Sequence, residues 1–262
     1  MLVVDDTTLD KPYATKMGLV TRHWSGKHHQ VVNGINLITL LWTEGESHLP
    51  CDDRIYDKAQ DGLTKNDHFR GMLQEAHVRG FTPECVVFDS WYGSLDNLKL
   101  IRDLGWVWLT QLKSNRQVNP DGQGLQAIAQ LDLSPSGTVT HLKGYGLIQV
   151  FKLIAPNGNI EYWATNDLTL HELARLRYAE NAWAIESYHR GIKQFCGIEH
   201  AQVRLARAQR NHIGLALRAF VRLERHCWQA GTSWFEAKLD IVRRAVTAYF
   251  AQPLYTLPRP TA

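Results

Sequence analysis

Two short apolar runs in this chain stop on aspartate. Leu2-Val3-Val4 leads into Asp5-Asp6-Thr7-Thr8, and Cys85-Val86-Val87-Phe88 leads into Asp89-Ser90-Trp91-Tyr92-Gly93. An apolar run of this length, closed by polar turn residues, fits a strand buried on both faces, and such a strand needs helices on each side of its sheet. In open α/β sheets ligands gather at the carboxyl ends of these strands. Either aspartate alone has an ordinary use as a turn former or helix cap. Together they narrow the chemistry, because carboxylates are hard oxygen donors suited to Mg2+ or Mn2+.

A third carboxylate lies far downstream. Ala182-Trp-Ala-Ile-Glu-Ser-Tyr-His-Arg-Gly-Ile-Lys-Gln194 reads as part of one long helix. Residues three, four and seven apart share a helix face, so Glu186, His189, Arg190 and Lys193 are expected on one side, with Trp183, Ile185 and Ile192 mostly directed elsewhere. One Glu among cations also describes a solvated face with an ion pair. Two strand-end aspartates plus this Glu make a three-carboxylate set. Such a set suits a pair of ions about 4 Å apart, which clamp the attacking and leaving oxygens of a phosphodiester.

Asp-Thr-Thr after the first strand, a strand ending in Asp89, and Trp-x-Ile-Glu with a Lys seven residues after the Glu resemble the DDE transposases of bacterial insertion sequences. More narrowly, they resemble the cut-and-paste superfamily whose last motif is Tyr-x2-Arg-x3-Glu-x6-Lys. The resemblance covers nearly the whole chain. It implies an RNase H-like mixed α/β sheet with flanking helices, a β-rich insertion and a helical C-terminal region. It also implies metal-dependent phosphodiester hydrolysis and strand transfer at transposon ends, with two Mg2+ ions for which Mn2+ can substitute. Carried over by position, Asp6, Asp89 and Glu186 are the catalytic and metal-holding residues, and Lys193 steadies a phosphate. Asp5 is the rival for the first place, because neighbouring strand residues point to opposite faces. The motif's Tyr and Arg fall at Ala179 and Ala182, where this chain departs from the pattern; Arg175 and Tyr178 lie close by but out of register.

Along the chain, residues 1–112 read as the first part of the core, 113–168 as the β-rich insertion, 169–251 as the second part with C-terminal helices, and 252–262 as a flexible tail. Residues 9–27 look like a loop returning the chain to the sheet. His23, Lys27, His28 and His29 are candidates to line the metal site, or are simply solvated. The stretches 30–43 and 48–57 would complete an antiparallel meander with the first strand. Lys65 to Arg79 carries helical spacing closed by Gly80, Ser94 caps a helix over 95–104, and 106–112 reads as a fifth strand. Pro156-Asn-Gly-Asn159 between two β-type runs signals a hairpin.

Composition excludes more than it selects. With 44% hydrophobic residues over 262 positions the chain can bury a sizeable core. No run approaches the ~20 apolar residues of a membrane span, and the expected location is the bacterial cytoplasm, at the nucleoid when bound to DNA. Four cysteines without ligand spacing read as reduced thiols. A net charge of +3 is too small to argue for nucleic acid by itself, but residues 171–226 hold ten Lys/Arg against five Asp/Glu. Arg190, Arg204 and Arg207 join Lys193 as candidate phosphate contacts on that basic stretch. The implied partners are double-stranded DNA, as transposon ends and target, and a second copy of the chain in a homodimer. Two other readings stay open: a catalytically inactive DNA-binding remnant, and another RNase H-like nuclease. Because Met1 stands only four residues before Asp5, a further expectation is a split or truncated transposase whose end-recognising N-terminal segment is encoded separately.

Overall fold

The computed structural model describes residues 1–25, 29–57, 60–122, 124–154 and 158–253. Six strands make the first half of the sheet: β1 (Leu2–Asp10), β2 (Thr21–Ser25), β3 (Gln30–Trp42), β4 (Leu49–Tyr56), β5 (Val86–Phe88) and β6 (Trp108–Leu112). Five more follow: β7 (Gln117–Asn119), β8 (Gln126–Ala127), β9 (Thr138–Leu142), β10 (Gly146–Ile154) and β11 (Ile160–Thr165). The helices are α1 (Lys65–Val78), α2 (Leu95–Asp103), α3 (Glu172–Ala182), α4 (Ala184–Gln194), α5 (Ala206–Ala230) and α6 (Trp234–Ala251).

The central order is β4-β3-β1-β5-β6, with β1 antiparallel to β3 and parallel to β5. This is the mixed sheet expected of an RNase H-like core. β3 is long enough to serve two neighbours on one edge, pairing β2 through its first half and β4 through its second. The β-rich stretch does not stand apart, because β11 pairs β6 and carries the same sheet on through β10 and β9 to β7 and β8. β10 and β11 form the hairpin expected from the Pro-Asn-Gly signal.

β1 is longer than its apolar run. Asp5 to Asp10 stay in the strand because β3 pairs with it from Leu2↔Trp42 to Asp10↔Gly34, supplying a backbone partner where the side chains alone argue for a turn. The parallel partner β5 ends at Phe88, so Asp5 lies midway along β1, just past the last pair, Val4↔Phe88. The loop expected over residues 9–27 likewise contains strand β2.

Alternation along β1 divides the core. Leu2 and Val4 pack with α1 and α2 residues such as Phe69, Met72, Leu98 and Ile101. Met1 and Val3 pack on the other face with Ile185, Tyr188 and Ile192 of α4 and Ile213 and Phe220 of α5. Gly191 lets α4 and α5 approach closely, since a Cβ there would lie 2.7 Å from the Phe220 ring. The long helix expected around Glu186 is two helices meeting at Trp183, and residues 195–205 separate α4 from α5. Among the described residues no helix is long and apolar enough to cross a membrane, and the four cysteines are free thiols.

Candidate active site

The split of β1 between two faces separates the two rival aspartates. Asp6 shares the α1 and α2 side with Leu2 and Val4. Its carboxylate accepts from Lys65 Nζ (2.7 Å) and Asn36 Nδ2 (2.6 Å) at Oδ2 and from the Tyr92 hydroxyl (2.9 Å) at Oδ1. Burial alone would raise this carboxyl, but the Lys65 charge and the three hydrogen bonds outweigh it and hold Asp6 below the usual carboxylate range. Asp6 is thus already neutralised by protein groups.

Asp5 faces the opposite way, toward α4. Burial raises its carboxyl well above the ordinary range, and the negative charges of Asp6, Asp89 and Glu186 push in the same direction. Only a backbone hydrogen bond opposes them. His189 Nδ1 lies 3.9 Å from its Oδ2, too far for a hydrogen bond. Nor is His189 a cation, since burial and the Lys193 charge drive its pKa down to about 3.

Asp89 follows the last residue of β5 and caps a short 3-10 turn, accepting from the Trp91 N–H at 3.0 Å. Burial of its inner side and the charge of Asp6 raise its pKa. Glu186 lies exposed in the first turn of α4, on the same side of the sheet as Asp5. The charges of Asp89 and Glu186 both act on Asp5 and raise its carboxyl. Among the described residues no three His, Cys, Asp or Glu side chains are gathered at metal-ligand spacing. The donor chemistry nevertheless fits a hard divalent cation, because Asp5 is a carboxylate set among like charges.

The remaining candidates scatter. His189 is buried, not on the solvent side with Glu186, because α4 rotates Tyr188, His189 and Ile192 together into the core. Lys193 Nζ donates to the Thr8 carbonyl (2.8 Å) and pairs with Glu199 (3.4 Å), tying α4 to the far half of β1. Arg190 is exposed one turn after Glu186, and Arg207 is exposed at the start of α5. Arg204 is exposed but precedes α5, so it does not share a helix face with Arg207, and Arg210 is paired with Asp57 at 3.5 Å. His23 faces Tyr56 from β2, His29 sits exposed in a turn, and Lys27 and His28 lie outside the described residues. Arg175 is buried with its guanidinium near the Phe151 and Trp163 rings, and Tyr178 interacts with Glu84 and Cys85 before β5, at the end of that strand away from Asp89. Neither replaces the motif positions held by Ala179 and Ala182.

Sequence reasoning missed Lys65, Tyr92 and Asn36 around Asp6, and Thr39 behind Asp5. Of these, Lys65 had a signal, since Thr64 opens α1 with a capping box closed by Asp67. The cap fixes where α1 starts and so where the Lys65 ammonium falls. Thr64→Ala is expected to cost about 1 kcal/mol and lower the melting temperature by roughly 2–4 °C, read by thermal denaturation.

A family model described as DDE superfamily endonuclease matches residues 1–131, half of the chain, and covers both aspartate-bearing strands. The chain belongs to the DDE superfamily of endonucleases. The fold of this DDE-family chain is similar to that of a piggyBac transposase solved by cryo-electron microscopy as a synaptic complex with hairpin DNA, with a TM-score of 0.60 and 9% identity. That similarity covers 100% of the DDE-family chain and 54% of the transposase, so the chain spans about half the length of its structural relative. No curated protein matches it by sequence.

Proposed function

We propose that this chain is the catalytic domain of a DNA transposase that hydrolyses phosphodiesters at transposon ends and transfers the freed 3′ strand, with Asp5, Asp89 and Glu186 as the carboxylates that hold divalent metal. What supports the reading is Asp5, which faces α4 and whose carboxyl is raised by burial and by the negative charges of Asp6, Asp89 and Glu186. Asp6 lies on the other face as a support, its charge taken up by Lys65 and Tyr92. A bound Mg2+ or Mn2+ would supply Lewis-acid stabilisation and a more acidic water. The protein's own part is to fix the three oxygens from a strand, a strand end and a helix, elements that move little relative to one another. Arg190, exposed beside Glu186, is the best placed of the basic candidates for a DNA phosphate, with Arg204 and Arg207 further out. Lys193 acts mainly by bracing β1. Double-stranded DNA is the substrate, and a homodimer is the form in which two ends are joined.

The test is nicking of labelled duplex DNA by the purified chain with Mg2+, Mn2+ or chelator, followed by capture of joined products. Metal-dependent cleavage that Asp89→Asn abolishes, with DNA binding retained, is the expected result. Binding that ignores metal and never leads to cleavage would identify an inactive remnant. Cleavage without joined products would identify a plain nuclease.

A further inference from the structure

Trp91 stands two residues after Asp89 and is 60% exposed, whereas the adjacent Tyr92 is fully buried. Its turn is fixed at both ends. Before it, Asp89 accepts from the Trp91 N–H at 3.0 Å while the Asp89 carbonyl accepts from Thr110 Oγ1 at 3.1 Å. After it, the Tyr92 ring stacks on Phe69 with centroids 5.1 Å apart and an 18° interplanar angle, and its hydroxyl donates to Asp6. The indole therefore cannot withdraw into the core without breaking the turn that places Asp89. What sets this exposed ring apart from the chain's other exposed indoles is its backbone, a turn fixed two residues after Asp89. An exposed ring on a fixed turn is what a base-stacking platform needs, since every nucleobase offers an apolar π-face whatever the sequence.

We propose that Trp91 stacks on the nucleobase next to the phosphodiester presented to Asp5, Asp89 and Glu186, and so sets the position of the scissile bond along the strand. This rests on the function proposed above. Phosphate contacts alone hold the backbone without fixing one nucleotide opposite the carboxylates. A stacked base adds that register, and the backbone N–H of the same residue ties the register to Asp89.

The test uses duplex oligonucleotides carrying 5-iodo-deoxyuridine at successive positions around the cleaved bond, with photocrosslinks mapped by mass spectrometry and single-turnover cleavage measured in parallel. Wild-type protein is expected to crosslink through Trp91. Trp91→Ala is expected to slow cleavage by about 5- to 150-fold, the range set by the loss of one stacked base, and to scatter the cut position. Its affinity at low salt should change little, since phosphates dominate there. Trp91→Phe should recover most of the rate. Trp228→Ala, which removes another exposed indole, on α5, should cleave as wild type. Cleavage by Trp91→Ala at the wild-type rate with crosslinks elsewhere overturns the stacking role and leaves the nuclease reading intact. Equal slowing by Ala and Phe overturns it in favour of a structural role. A Trp91 crosslink on a wild-type protein that never cleaves supports stacking while removing the proposed activity.

Discussion

Asp5→Asn is expected to lower metal-dependent DNA cleavage by on the order of a thousandfold, and Asp6→Asn by no more than about a hundredfold. Metal ions contribute several kcal/mol to transition-state charge stabilisation, and each 1.36 kcal/mol is tenfold in rate, so losing a direct ligand removes most of that factor. A residue that only supports the ligand set typically costs 10- to 100-fold. The structure makes the two neighbours unequal. Asp5 faces α4 and, among the described residues, pairs with no Lys or Arg, while Asp6 faces α1 and already accepts three hydrogen bonds, one from an ammonium. The Asp6 variant carries a different penalty, because Lys65 would keep its partly buried charge with a weaker partner. Lys65→Met combined with Asp6→Asn should therefore recover stability that the single Asp6 change loses. Single-turnover cleavage and Mn2+ binding followed by electron paramagnetic resonance check the order. A larger loss of both cleavage and Mn2+ binding in Asp6→Asn than in Asp5→Asn would return the ligand role to Asp6.

Asp53→Asn is expected to make the protein more stable at pH 8 by a few kcal/mol relative to wild type, with little difference near pH 4. Asp53 sits on β4 in register with Thr39, which in turn pairs with Asp5 across β1. Its carboxyl accepts from Thr39 Oγ1 at 2.7 Å and from the Tyr188 hydroxyl at 3.2 Å, and no cation contributes to its shift. Burial raises its pKa from 3.8 to about 7, the two hydrogen bonds only partly opposing the rise. A carboxyl raised in the folded state gives its full stability below the unfolded pKa and loses it as pH climbs to the folded value. At ~1.4 kcal/mol per unit, the wild type therefore loses stability between about pH 4 and pH 7 and then levels off. Asn keeps an acceptor for Thr39 and Tyr188 without the charge, so it escapes that loss. Urea unfolding of both proteins from pH 4 to pH 9 measures the gap. Parallel curves across this range would show that Asp53 ionises freely in the folded protein.

Local chemistry in the sequence determined the parts of this protein that neighbours in the chain can specify. The apolar runs at Leu2 and Val86 became adjacent parallel strands, Ser94 capped the helix it precedes, and the β-type runs flanking the Pro-Asn-Gly signal paired as a hairpin. The expectation that Asp6, Asp89 and Glu186 form a carboxylate set came from residue type and from the family resemblance. Tertiary structure decided what depends on pairing and rotation. β3 holds β1 extended through its polar half, against the turn that Asp-Asp-Thr-Thr suggests locally, so Asp5 sits within a strand and not at its end. Strand alternation then places Asp5 and Asp6 on opposite faces, and only the packing of α4 on one of those faces says which aspartate faces it. The break at Trp183 sets the rotation of α4, which buries His189 and leaves Glu186 and Arg190 in solvent. Lys65 and Tyr92 lie 59 and 86 residues from Asp6 in sequence, and no local pattern links groups so far apart. Their convergence is a property of the folded sheet, in which long-range backbone hydrogen bonds override local preference.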